Sequence, residues 1–170
     1  PPGLPAPKFP DTDSVVKGGK EHDGLFKLHQ KDDTVYAEVK FSQLGQPFLC
    51  PISIARGPGG AYVGGDTLNF GEQWVLMFKR VGDKVFLVRR NVRFKAAPGT
   101  AVSKAVETTY TDSVLMSLRI HGISLPRQSL LISLNEIFMT DFAQLRRGFF
   151  DASRSSRVKV KASPKNIDVQ

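Results

Sequence analysis

The sequence predicts a mainly β domain of the α+β type, antiparallel hairpins forming a sheet or sandwich with one or two short helices. Three observations carry this. Short runs of alternating apolar and polar residues recur along the chain, tight polar turns join several of them, and three hairpins follow in succession. With 170 residues and 41% hydrophobic side chains, the chain fits one domain with a real core, and a multidomain enzyme does not fit.

The first ten residues, PPGLPAPKFP, hold five prolines. Fixed φ angles and missing N–H groups favour an extended, unpaired segment there, so residues 1–20 are assigned to a Pro-rich leading arm and residues 21–170 to the β-rich domain. Gly24–Gln30 and Thr34–Lys40 flank the polar turn Lys31-Asp32-Asp33 as the first hairpin, with Phe26 and Leu28 on one face. Residues 41–47 read as a short helical turn stopped by Gly45 and Pro47, and Phe48–Ile54 as a third strand that contains Cys50. Gln73–Arg80 and Lys84–Arg90, joined by Val81-Gly82-Asp83, form the clearest hairpin. Apolar residues on both faces predict that it is covered on both sides and central to the core.

A Pro-Gly turn at 98–99 precedes a short helix over Ala101–Glu107. In Val114–Ile120, Val114, Met116, Leu118 and Ile120 alternate against more polar neighbours, which predicts one buried face. Ser129–Leu134 is the next strand. Asn135–Leu145 follows as a helix with Asn135 as its cap and Phe138, Phe142 and Leu145 at helical spacing. The tail from Asp151 alternates Val158, Val160, Ile167 and Val169 around a Ser163-Pro164 break, as two edge strands, and the chain stops within the second.

The formal net charge is +8 and sits in two blocks: residues 79–104 hold eight basic residues against one acidic, and residues 146–170 seven against two. Such a balance makes a polyanion a partner to weigh. Within strands, however, these charges read first as the wet face of a sheet. Phe86 and Phe94 alternate like core residues rather than forming a stacking platform, so nucleic acid is not the expected partner. The longest apolar runs, such as Trp74–Phe78, fall far short of the roughly 20 residues that span a bilayer.

Catalytic patterns do not emerge. His22, His29 and His121 include no pair at zinc-ligand spacing, and one cysteine, Cys50, lies in an apolar strand where burial makes a thiol inert. His29, Glu38 and Asp66 would suggest an unrecognised enzyme only if folding brought them into one pocket. Arg56–Asp66 holds five of the 15 glycines after a strand, as phosphate loops do, but it lacks the Gly-Lys-Ser/Thr that enters a helix. It reads as a long permissive loop with Tyr62 packing over it. Candidate interaction residues are therefore Arg56, Tyr62, Arg89, Arg90, Arg93, Arg154 and Arg157.

One set of motifs goes further. The runs at 23–30, 51–60, 82–90 and 129–138, with Ser153-Arg-Ser155 and Ser163–Asp168, resemble the N-terminal domain of unknown function that precedes the catalytic domain in large bacterial zinc-dependent metalloproteases of metzincin-like type. The resemblance implies a non-catalytic accessory domain of an exported, periplasmic or secreted, peptidase. It implies no cofactor in this chain, with zinc and the HExxH motif in the downstream catalytic domain, which is the expected partner. The alternative is a basic polyanion-binding module built on the Arg/Lys-rich strands.

Overall fold

In the computed structural model, which describes residues 7–52, 73–142, 151–156 and 159–170, two antiparallel sheets enclose one hydrophobic core. The elements run α1 (Thr12–Val16), β1 (Lys20–His22), β2 (Lys27–Lys31), β3 (Thr34–Lys40), β4 (Pro47–Pro51), β5 (Gln73–Val81) and β6 (Lys84–Arg89). They continue with α2 (Ala101–Thr109), β7 (Ser113–Arg119), β8 (Gly122–Ser124), β9 (Ser129–Ser133), α3 (Asn135–Phe138), β10 (Val160–Ser163) and β11 (Asn166–Val169). One sheet has the order β1-β2-β3-β9-β8, the other β4-β5-β6-β7, and β10 and β11 pair as a separate hairpin. The mainly β expectation holds, with three short α-helices.

Period-two patterning places the core. Leu28, Val35, Ala37, Val39, Leu130 and Ile132 from the first sheet meet Trp74, Leu76, Phe78, Val85, Leu87 and Leu118 from the second, all buried. Phe26, Phe48 and Phe78 stitch the layers, with ring centroids 5.2 to 5.5 Å apart. Tight turns set the registers: Asp32 adopts φ 50° between β2 and β3, and Gly82 φ 58° between β5 and β6.

Several expectations need correction. Residues assigned to the arm fold onto the domain: α1 lies against β8 and β2, Thr12 and Val16 are buried, and Asp11 bridges to Ile123. Thr12 and Val16, one turn apart, share the buried face of this helix. The four-residue alternation in β7 breaks because its register against β6 shifts between Leu87 and Val88. The shift turns Val114 outward, where it is 57% exposed, while Leu118 stays buried. The outer face of the β5–β6 hairpin is half-covered: Val88 is buried, but Val75, Met77 and Phe86 are only partly so.

Strand β4 ends at Pro51, and Ser53 and Ile54 lie outside the described residues. Helix α3 is a single turn, with Leu134 rather than Asn135 at its cap, and Leu145 lies outside the described residues. Asn135 instead clamps the β2–β3 hairpin: its Oδ1 accepts from the Val35 amide at 3.0 Å and its Nδ2 donates to the Asp33 carbonyl at 2.8 Å. The tail forms the expected two strands, although Val158 is outside the described residues.

Candidate functional site

The sheet brings three of the candidate arginines into one place. A cleft of about 290 Å³ opens where β6 leaves the sheet, lined by Trp74, Arg89, Arg90, Arg93, Phe94 and Tyr110 with smaller polar neighbours. Its floor is Trp74, buried by the core, with the Arg89 guanidinium 4.2 Å above the ring centroid. Arg90 extends β6 by one residue, its amide donating to the Val75 carbonyl at 2.8 Å, and its Nε lies 2.8 Å from Asp112 Oδ2.

Asn91 builds the wall. Its Oδ1 accepts from the Arg93 and Phe94 amides at 3.2 and 3.3 Å, and its Nδ2 donates to the Tyr110 carbonyl at 2.6 Å. Its own amide donates to Asp112 Oδ1 at 2.9 Å. An asparagine that folds the chain back on its own side chain is a known turn device, and here it ties residues 91–94 to 110–112. The tie presents Phe94 and Tyr110 as a parallel stack, centroids 4.0 Å apart and planes 21° apart, with each ring side chain nearly half exposed. Phe94 is thus a surface residue, against the expectation that it joins the core.

The remaining candidates are not gathered here. Arg56, Tyr62 and Arg157 lie outside the described residues, and Arg154, of which only the backbone is described, closes a short 3-10 turn. The basic block at 79–104 is itself divided. Lys79, Arg80 and Lys84 flank the hairpin turn, where Lys8 pairs with Asp83 and Arg80 lies over Phe41. Lys84 and Arg89 stand five positions apart at the two ends of β6, about 16 Å of extended chain.

A second polar cluster lies on the outer face of the first sheet, beneath α1. Glu38, 4% exposed, receives Arg127 Nε at 2.6 Å and the Ser129 hydroxyl on Oε1, and His29 Nε2 lies 2.9 Å from its Oε2. Arg127 continues to Asp13 of α1 through both Nη atoms, at 2.7 and 3.1 Å. On the other side His29 Nδ1 is 3.5 Å from Glu21, which pairs with Lys27 at 2.7 Å. Burial pushes the Glu38 carboxyl up, but hydrogen bonds from Ser129, Arg127 and His29 outweigh it and hold Glu38 below the ordinary carboxylate value. The Arg127 hydrogen bond lowers Asp13, and Asp13 and Glu38 together raise Arg127.

His29 and Glu38 therefore do meet, while Asp66 lies outside the described residues. The pair is locked at both ends by charge partners, which is the geometry of a structural network. His121 is likewise taken by Glu136, Nε2 to Oε1 at 2.6 Å. Among the described residues no three His, Cys, Asp or Glu side chains are placed to hold a metal ion. Cys50 is half-buried and burial raises its thiol pKa, in line with an unreactive role.

Residues 69–170 match the family model of a domain of unknown function (DUF5117), and residues 7–57 match a second one (DUF5118). The chain belongs to the DUF5117 family. No curated protein and no solved structure gives a significant match. The two matches do not correspond to two bodies: β3 from the first pairs with β9 from the second, and β4 from the first pairs with β5 from the second. Both sheets are shared across the family boundary. The cleft belongs entirely to the DUF5117 segment, whereas the Glu38 network needs both.

Of the cleft residues, the sequence singled out the three arginines and missed Trp74, Asn91, Phe94, Tyr110 and Asp112. A signal existed for Trp74, the only tryptophan in the chain. None marked the others, since Asn91 and Tyr110 stand 19 positions apart and meet only where the connection that carries α2 returns to the sheet.

Proposed function

We propose that this chain is a non-catalytic N-terminal accessory domain of an exported bacterial zinc metallopeptidase, and that it docks on the catalytic domain downstream in the same polypeptide. The motif resemblance supplies the parent class and the extracytoplasmic location. The observation that carries docking is the cleft: a buried tryptophan, two half-exposed stacked aromatics and three arginines at and just past the end of β6 are the residue types that dominate protein-protein hot spots. In contrast, the histidines and carboxylates best placed for chemistry are engaged with one another. Zinc, in this reading, belongs to the downstream domain.

Two measurements test it. The reading frame beyond Gln170 should encode an HExxH domain, and that domain, expressed separately, should bind the 170-residue chain in calorimetry. Peptidase activity of this chain alone, abolished by a chelator and restored by zinc, refutes the non-catalytic role. The second reading, a polyanion-binding module, is favoured by the same three arginines converging on one cleft. It requires binding to DNA or heparin that falls steeply between two ionic strengths.

A further inference from the structure

We infer that a second cleft, between the β1–β2 turn and the end of β3, binds a dipeptide zwitterion, with the ligand's carboxylate on Lys40, its ammonium on Asp23 and an apolar side chain along Leu25. This goes beyond the docking reading and does not depend on it, since it concerns the other sheet and a small ligand.

Two unpaired charges of opposite sign define the ligand. The cleft has a volume of about 410 Å³, within the range of small-molecule sites, and Asp23, Lys27, Lys40, Gln43 and Arg127 line it around the buried Glu38. Most of this lining is already satisfied. Arg127 is held by Glu38 and Asp13, Lys27 by Glu21, and Glu38 by three donors. Among the described residues, the Asp23 and Lys40 side chains form no hydrogen bond or ion pair, either with each other or with a third group. Asp23 helps across space to raise the Lys27 pKa, but the Lys27 ammonium has Glu21 as its partner. A plain anion would meet Lys40 and be repelled by Asp23, and a plain cation would meet the reverse; a ligand carrying both charges satisfies both.

Both charges stand on pinned backbone. The register that sets Lys27 opposite Glu38 continues towards Leu25 and Lys40, and Gln43 locks that end: its Oε1 accepts from the Lys40 amide at 2.9 Å and its Nε2 donates to the Leu25 carbonyl at 2.7 Å. On the far side the Leu25 amide donates to the Ser163 carbonyl at 2.9 Å, and Gly24 packs so closely on β10 that a Cβ there would stand 2.8 Å from the Ala162 Cβ. The turn that carries Asp23 is thus held between β3 and the β10–β11 hairpin, and binding need not order it. Gln43 Nε2 keeps one hydrogen free among the described residues, a donor for the ligand's peptide carbonyl, and half-buried Leu25 supplies the apolar contact.

The probe is alanyl-leucine, titrated at low ionic strength into the isotope-labelled 170-residue chain and followed by the chemical shifts of backbone amides. A ligand of about 14 heavy atoms should bind with a dissociation constant of about 1 mM. The expected result is a saturable shift of the Gly24, Leu25, Lys40 and Gln43 amides. N-acetyl-alanyl-leucine, which lacks the ammonium, and alanyl-leucinamide, which lacks the carboxylate, should each bind about fivefold more weakly. Asp23→Asn should weaken alanyl-leucine about fivefold and leave the acetylated form unchanged, while Lys40→Gln should weaken alanyl-leucine equally and leave the amide form unchanged. Both residues are exposed, and amide spectra unaltered outside the cleft establish that the variants are folded. Lys84→Gln, on the other sheet, should change the affinity less than about twofold.

No saturable shift below about 20 mM overturns the inference, as does equal binding of either blocked form, or an affinity that neither Asp23→Asn nor Lys40→Gln alters. A loss in Lys84→Gln equal to that in Lys40→Gln also overturns it, as non-specific charge attraction. Free leucine binding as tightly as alanyl-leucine overturns the dipeptide in favour of a single amino acid, and tighter binding of succinate or inorganic phosphate overturns it in favour of an anion site. The downstream domain takes no part in this titration, so failure here leaves the docking reading standing, and failure of docking leaves this cleft standing.

Discussion

Glu38 offers the sharpest test of the ionic network, because its carboxylate is buried and its partners come from two distant segments, β2 and the turn that enters β9. Glu38→Ala removes the acceptor of Arg127 Nε, of the Ser129 hydroxyl and of His29 Nε2 at once. Breaking a buried ion pair by deleting one member costs about 3–5 kcal/mol. The lower end applies here: Arg127 keeps Asp13 as a partner and its side chain is 38% exposed, so the orphaned cation is only partly desolvated. A loss of about 3 kcal/mol corresponds to a fall in Tm of about 6–12 °C for a domain of this size. Glu38→Gln, which keeps the shape and loses the charge, should cost about half as much.

The pH dependence has a definite sign. The folded-state pKa of Glu38 is depressed, so its contribution is complete above the unfolded carboxylate value, about 4.3, and is lost as pH falls through the lower folded value. Urea titrations of wild type and Glu38→Gln at pH 7, 5 and 3 should therefore show a stability gap that is widest at pH 7 and narrows towards pH 3. A Glu38→Ala loss below about 1 kcal/mol, or a gap that grows on acidification, would show that the network is not holding α1 and the sheet together.

Other consequences are local. Gly24→Ala should cost about 1–3 kcal/mol, because a Cβ there would meet the Ala162 Cβ at 2.8 Å and the Ser163 carbonyl oxygen at 2.9 Å; limited proteolysis should find the β10–β11 hairpin released. Asn135→Ala removes both arms of the clamp on the β2–β3 turn, and about 1–3 kcal/mol of stability with it, and the Val35 amide should be among those whose hydrogen exchange accelerates most. Cys50 should react with a thiol reagent at pH 7.5 at least about tenfold more slowly in the folded chain than in denaturant, since burial suppresses its thiolate; equal rates would contradict its placement in β4.

Where local pattern and burial agree, the sequence was legible. Leu28, Val35, Leu76, Leu87 and Leu118 alternate in strands and are buried, and the polar turns at 32–33 and 82–83 join the hairpins as expected. Reading failed where a remote partner overrides the local rule. Asn135 looks like a helix cap, but two backbone groups of the β2–β3 hairpin, about 100 residues earlier, compete successfully for its side chain. Val114 keeps the alternation of β7 and still faces outward, because the register shift lies in its pairing with β6 and leaves no mark in its own sequence. His29 and Glu38 sit on the polar face of their strands, which predicts solvent, and become buried only when α1 folds over them. The cleft was half legible for the same reason: arginine clustering is a property of composition, whereas the Phe94–Tyr110 stack depends on where a connection returns.

The relation between the two family matches follows from this physics. A sheet buries its backbone polar groups only by pairing them, and here β3 pairs with β9 while β4 pairs with β5, each across the boundary between the matched segments. Separated, residues 7–57 would keep β2 and β3 with Val39 and Ala37 uncovered, and residues 69–170 would expose the edge of β9 and the core face of β5. The ionic network adds an electrostatic reason, since Asp13 and Glu38 come from the first segment and Arg127 and Ser129 from the second. The two segments are therefore one folding unit, and the β5–β6 scaffold that orients Arg89 over Trp74 is rigid only when β4 completes its sheet. A cleft confined to one segment in sequence depends on both for its shape.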